Sequence, residues 1–302
     1  MQKILNCLQA SDRPREQNIP DPVCQGSTLC DHIHISVDFD WIPGSDKSVP
    51  KLFDLFKRYG CKPSLFFTGG FARAYPEIVQ EALRCGYEIG THGLNHGWDG
   101  NENFGMDTPY EVQHVLIAKS TEAILRITST QPIFFRAPLL KISPPTYEIL
   151  AKHGYLVDSS VPARRYDFGA GSVSNLKSFM KPTKPYYVST RYGNMLEIPP
   201  SACILPLNMR MLRTFPFTFV YCFSALLARI HHPLVFYLHP AEYVPTQDMK
   251  IPQGFYKGFY DNCGPHNFTV LERFLTLLQA WGLRSEFMAR TLTLAQGNPE
   301  TA

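Results

Sequence analysis

Residues 1–31 are rich in Pro, Gln, Asp and Ser and show no period in their hydrophobic positions, so they read as an irregular N-terminal arm. From His32 the pattern turns regular. His32 to Val37 is a β-branched strand, Val49 to Tyr59 places Leu52, Phe53, Leu55 and Phe56 at helical spacing, and Ser64-Leu65-Phe66-Phe67 is a short buried strand. The unit then repeats. Tyr75 to Arg84 is a helix opened by Pro76 and closed by Gly86, Tyr87 to Gly90 is a third strand, and Thr108-Pro109 opens a longer helix to about Thr128. Ile133 to Phe135, the helix Pro145 to His153 stopped by Gly154, and the strand Tyr155 to Val157 continue the rhythm.

The stretch from about 161 to 194 interrupts it with Gly, Pro, Ser and Arg, apart from a strand pattern at Tyr186 to Ser189, and reads as an insertion over one face. Leu196 to Ile198, an apolar helix after Pro216, Leu234 to Leu238, a helix Thr269 to Trp281 and a strand near Ser285-Glu286-Phe287 restore the pattern. Strands alternating with helices predict a parallel α/β sheet closed into a distorted barrel of about seven strands. The predicted organisation is an arm over 1–31, one domain over 32–290, and a C-terminal tail over 291–302. No internal repeat is evident, which excludes a solenoid.

A formal net charge of +3 and the absence of long runs of like charge argue against a nucleic-acid partner. The eight cysteines contain no C-x-x-C pair, and Cys61, Cys85 and Cys222 fall in predicted packed elements. They are expected to be reduced, buried thiols. Met1 to Ala10 lacks the apolar core of a signal peptide, which predicts a cytoplasmic protein. Thr214 to Ile230 is the most apolar stretch, but the segment between Arg213 and Arg229 is shorter than the roughly 20 residues of a membrane span and contains Pro216. A buried or lid helix is the expectation there, with an apolar surface touching lipid as the alternative.

The chemistry clusters at predicted strand ends. Asp38 and Asp40, two apart at the end of a strand, point to one side, with Phe39 turned away. His92 and His96, four apart after another strand, add two imidazoles, and together these groups supply the ligands of one metal ion with a carboxylate left over for proton transfer. Gly93 excludes the H-E-x-x-H metalloprotease pattern. Arg136 ends an apolar strand, where it calls for a carboxylate partner. Asp158 and His239 end two others. Polar groups at five successive strand ends are the layout of an active-site rim on an α/β barrel.

In the order and content of these motifs, from about residue 33 to 288, the chain resembles the polysaccharide deacetylases of the NodB-homology group, metal-dependent N- and O-deacetylases. The resemblance implies that Asp38 is the catalytic base, that Asp40, His92 and His96 hold a divalent metal, best suited to Zn²⁺, and that Arg136 holds the base. It further implies that Asp158 supports His239, the general acid, and that the backbone N–H of Leu139 stabilises the oxyanion. Two departures stand out: Phe39 separates the aspartates, which are commonly adjacent in the family, and Arg136-Ala137-Pro138-Leu139-Leu140 lacks the usual aromatic residue.

The substrate so implied is an N-acetylated amino sugar in a glycan, small saccharide or lipid-linked form, the last suiting an apolar surface at a membrane. Trp41 and Trp98, each beside a motif, are candidate platforms for sugar rings. Arg164, Arg165 and Tyr166 are candidates for contact with the rest of the substrate. Two alternatives remain at this level: a hydrolase of a cyclic ureide or imide on the same metal and fold, and a catalytically silent carbohydrate-binding homologue.

Overall fold

Strand His32–Phe39 (β1) is buried along its whole length, and its period of two divides it between two environments. Ile33, Ile35, Val37 and Phe39 face outward into the main apolar core, whereas His34, Ser36 and Asp38 form a polar column on the other side. This column is where the site is built. The computed structural model describes residues 16–18, 31–96, 104, 108–166, 179–251 and 257–297.

Eight further strands of the main sheet follow: Ser64–Phe67 (β2), Glu88–Thr91 (β3), Phe134–Phe135 (β4), Val157–Asp158 (β5), Tyr186–Thr190 (β6), Gly193–Glu197 (β7), Leu234–Leu238 (β8) and Arg284–Ser285 (β9). Seven pair in parallel in the order β8-β1-β2-β3-β4-β5-β7, and β9 joins β1. β6 and a short strand at Glu16–Asn18 extend the far edge antiparallel. Between β7 and β8 the segment 198–207, which holds a small hairpin of Ala202–Cys203 with Leu205–Pro206, completes the curl, with Ser201 N–H donating to Val235 O at 3.1 Å and Tyr237 N–H to Leu207 O at 3.4 Å. The result is a distorted (β/α) half-barrel.

Helices Val49–Tyr59 (α1), Gly69–Ala74 (α2), Pro76–Arg84 (α3), Tyr110–Thr128 (α4) and Pro144–Lys152 (α5) belong to the first half of the chain. Met209–Thr214 (α6), Phe217–Ile230 (α7), Asn267–Ala280 (α8) and Met288–Ala295 (α9) belong to the second. Leu52, Phe56, Val79, Leu227, Leu271 and Phe274 pack onto the outward residues of β1 and β8. Inside the curl, Phe66, Phe134, Val157, Leu196 and Val235 meet Met288 and Leu292 of α9, which closes the end opposite the site.

Two boundaries and the burial of one cysteine differ from the sequence expectation. Tyr186–Glu197 is a hairpin within the main sheet, so the part of the expected insertion from Tyr186 onward continues the sheet; Tyr186 and Val188 face the core beside Met195. Residues 291–295 are the end of α9, not a tail, because Thr291 and Leu292 are buried and Thr291 Oγ1 meets His34 Nε2 at 2.8 Å. Cys222 lies exposed on α7, whereas Cys61 is buried and Cys85 half-buried. No helix among the described residues is long and apolar enough to cross a membrane.

Candidate active site

The polar column of β1 runs up to the rim. Asp38 and Asp40 follow Ser36 on the same side, both almost wholly buried. Across from them the chain leaves β3 into a turn at His92, Gly93 and His96, where Gly93 has φ 71° and His96 φ 58°. Glycine takes that left-handed backbone freely, but at His96 it is strained, and the turn is held by Gly69 N–H on Gly93 O at 3.0 Å and Gly70 N–H on Leu94 O at 2.7 Å. The two histidines therefore converge through a fixed loop, not through one face of a helix.

Their Nε2 atoms each stand 3.5 Å from Asp40 Oδ1, and ligand atoms of the three residues lie within 4.8 Å of one another. That spacing is close to the roughly 3.4 Å between donors bonded at about 2.1 Å around one tetrahedral ion. His92 Nδ1 lies 2.8 Å from the carbonyl oxygen of Arg136, so as the donor there it turns an Nε2 lone pair toward Asp40. Burial alone would raise the Asp40 carboxyl; the imidazoles of His96 and His92 outweigh it and hold the group below the ordinary carboxylate range. Burial also lowers His96, which favours the neutral, ligating imidazole. Asp40 Oδ1 is fully enclosed yet has no hydrogen-bond partner. A buried anionic oxygen facing two imidazole nitrogens fits a divalent cation.

Beside this cluster, Arg136 is completely buried inside the curl. One of its terminal nitrogens donates to Asp38 Oδ1 at 2.9 Å and to Ser36 Oγ at 2.7 Å; the other donates to Ser159 Oγ at 2.8 Å, and Nε to Ser159 O at 2.9 Å. The Phe66 ring lies 4.5 Å from the guanidinium. Asp38 thus has one oxygen fixed by a charge-assisted bond. Its other oxygen stands 4.0 Å from His239 Nε2.

The carboxylate supporting His239 is Glu242, where the sequence reading assigned Asp158. Pro240 opens a short 3-10 turn at Pro240–Tyr243, which folds Glu242 back so that its Oε2 accepts from His239 N–H at 2.9 Å and faces Nδ1 at 3.4 Å. Burial pulls the His239 imidazole down, but Glu242, Asp40 and Asp38 together raise it to about 9. Arg213, at the end of α6, places Nε 3.5 Å from Glu242 Oε1 and donates to the carbonyls of Phe259 and Asp261.

Asp158 points elsewhere because it pairs in register with Glu197 on β7. It accepts from Ser160 Oγ at 2.6 Å, and Ser160 Oγ in turn accepts from Ala137 N–H at 2.8 Å. Burial and the facing Asp158 push the Glu197 carboxyl well up, and Tyr147 Oη donates to its Oε2 at 3.0 Å. This buried pair lies behind Arg136 as support for the rim.

Leu139 and Leu140 both have left-handed backbone, at φ 59° and 55°, and the Leu139 side chain is 56% exposed. Trp41 is half-buried against the main core and over Gly70, where an added Cβ would come within 2.8 Å of its ring. Tyr166 is 41% exposed, anchored by its N–H on Ile204 O at 3.0 Å. Trp98 lies outside the described residues. Sequence reasoning missed Glu242, Arg213, Ser36 and Ser159. Only Glu242 carried a usable signal, an acid three residues past a histidine with proline between them, which is the pattern of a capping turn.

Residues 27–157, which hold Asp38, Asp40, His92, His96 and Arg136, match the family model described as polysaccharide deacetylase. A peptidoglycan deacetylase of Helicobacter pylori is 33% identical over 113 residues, 37% of this chain and 36% of that protein. A peptidoglycan-N-acetylglucosamine deacetylase of Bacillus cereus is 27% identical over 122 residues, covering 40% and 53%. The chain therefore matches only between about a third and a half of these relatives' length. In fold, a crystal structure of a Mycobacterium smegmatis protein described as a polysaccharide deacetylase superposes with TM-score 0.64 at 16% identity, over 93% of this chain and 96% of that one. A CE4 family pseudoenzyme from Bacillus anthracis superposes with TM-score 0.52 at 11% identity, over 88% and 66%. The motif-bearing segment is thus similar in sequence to polysaccharide deacetylases, and nearly the whole chain shares the fold of the Mycobacterium smegmatis structure.

Proposed function

We propose that the protein is a metal-dependent hydrolase that removes an N-acetyl group from an amino sugar of a glycan or saccharide. The observation that carries this reading is the enclosed, unpartnered Asp40 oxygen facing His92 and His96, beside a second aspartate held by a buried arginine. Asp40, His92 and His96 would hold the ion, and two imidazoles with one carboxylate suit Zn²⁺. A divalent cation there supplies Lewis-acid activation of water and of the acyl carbonyl.

The chain's own groups do the rest. Asp38, its position set by Arg136 and Ser36, takes the proton of the attacking water. The Leu139 N–H, presented by a backbone that leaves its side chain outside, donates to the oxyanion as the carbonyl carbon becomes tetrahedral. His239, kept protonated by Glu242, delivers the proton to the departing amine. Acetate release from N-acetylglucosamine oligomers, measured with and without a chelator, tests this reading. Chelator-sensitive release is expected. Hydrolysis of a cyclic ureide in place of the oligomers would transfer the same machinery to another substrate, and binding of oligomers without turnover would mark a silent homologue.

A further inference from the structure

Helix α7 breaks the rule that the outward face of a barrel helix is polar. Its inner face buries Val220, Phe223 and Leu227, yet Phe219, which stacks on Phe223 at 5.7 Å, and Leu226 along the flank of that face are 39% and 44% exposed, with Cys222 exposed further round. At about 100° per residue these three and Arg229 fall within a sector of roughly 80°. Phe215, 37% exposed just ahead of the helix, extends the stripe by lying against Phe219 with ring centroids 4.7 Å apart. At its margin Tyr221 packs edge-on against Trp281 at 5.2 Å, and Arg273 sits over the Phe217 ring at 4.2 Å.

Along the chain that carries the stripe the charge has one sign, and Glu272, beside Arg273 on α8, is paired with Arg58. Between Glu197 and Glu242 the sequence contains no Asp or Glu. Arg229 and Arg273 pair with no carboxylate among the described residues. A second copy of the chain placed on this face by two-fold symmetry would set a helix without acids against itself and offer those arginines no counter-charge from it. A lipid surface supplies both complements, an apolar layer for Phe215, Phe219 and Leu226 and phosphate groups for the arginines, with Tyr and Trp at the interface.

We propose that the exposed face of α7, with Phe215, Trp281, Arg229 and Arg273 at its margins, docks the protein onto the surface of a phospholipid bilayer bearing anionic headgroups. The helix lies along that surface. The proposal concerns attachment, not turnover, so its failure leaves the deacetylase reading intact.

The experiment is co-sedimentation of the full chain with phosphatidylcholine vesicles, with and without phosphatidylglycerol. Wild type is expected to partition to the vesicles, more strongly when phosphatidylglycerol is present. The Phe215→Ser/Phe219→Ser/Leu226→Ser variant should partition at least about tenfold less, since each replacement removes apolar side-chain transfer. Arg229→Glu should lose about fivefold on the anionic vesicles alone. Circular dichroism and the thermal midpoint check that the variants are folded. Independently of any serine variant, brominated lipid should quench wild-type tryptophan fluorescence, and Trp281→Phe should lose that quenching. Wild type remaining in the supernatant, the triple variant pelleting equally, or fluorescence indifferent to brominated lipid would overturn the proposal. So would a wild-type dimer in sedimentation velocity that the triple variant converts to monomer.

Discussion

Two aspartates separated by a single phenylalanine have different neighbours, and the proposed division of work rests on that difference. Asp40 faces only imidazoles and has an oxygen with no donor, whereas Asp38 is tied to Arg136 at 2.9 Å. Asp40→Ala and His92→Ala are accordingly expected to lose bound metal in metal analysis after gel filtration. Asp38→Asn should keep its metal while turnover falls at least about a hundredfold. Full turnover in Asp38→Asn would remove the base from the scheme. The acid can be tested through pH, because the fold raises the His239 imidazole to about 9 and the protonated form persists up to that point. Deacetylation efficiency should therefore decline as pH rises through about 9. In Glu242→Gln, burial that lowers the imidazole acts against less opposition, and the alkaline limb should move down by about one unit. An unmoved limb would mean that Glu242 only caps its turn. Most of these groups were legible in the chain because each ends a predicted strand, and a strand end fixes direction as well as place. The partner of His239 was not. Asp158 also ends a strand, but a two-residue strand in register with Glu197 turns it toward another acid, while Glu242 reaches the histidine through a local turn that no strand pattern announces.

At the level of elements, a period of two or of 3.6 with clear stops was enough to place Val49–Tyr59, Ser64–Phe67 and Leu234–Leu238 residue for residue. Shorter elements defeated that reasoning. Gly69–Ala74 spans six residues and begins with two glycines, a composition that reads as a loop; it is helical because Thr68 Oγ1 caps Phe71 N–H and the 92–96 loop accepts its first amides. Met288–Ala295 escaped because its cap comes from far away in sequence. The Glu88 carboxylate, at the start of β3, accepts from Ala289 N–H at 2.9 Å and Met288 N–H at 3.1 Å, and also from Ser64 Oγ. An acid there answers two of the helix's free amides and its dipole. Glu88→Ala would leave the Ala289 N–H without this acceptor and the Met288 N–H with only Ser64 Oγ at 3.4 Å, and the expected cost is about 1 kcal/mol in urea unfolding. Amide exchange should rise over 288–295 more than in β1. Equal stability of the variant would mean that Met288 and Leu292 hold the helix by packing alone.

For the molecule as a whole, the barrel brings the three proposed ligands together from two segments, the residue just past β1 and the loop after β3, that are separated in sequence by α1, β2, α2 and α3. The unfolded chain keeps no such arrangement, so a cation that binds the folded cluster must stabilise the fold by mass action. At a free zinc concentration about a hundred times the dissociation constant the gain is about 2.7 kcal/mol. The thermal midpoint should therefore rise with added Zn²⁺ and fall back with chelator. Asp40→Ala should abolish the rise, since two neutral imidazoles without the carboxylate are a weak site. Asp38→Asn should preserve it, because Asp38 is engaged by Arg136 and stands outside the ligand set. The pair of variants separates metal held at this cluster from metal held by surface histidines or thiols, which would raise the midpoint in both. A rise that survives Asp40→Ala would show that the enclosed carboxylate oxygen serves some other end, and the geometry linking the two halves of the site would lose its chemical reason.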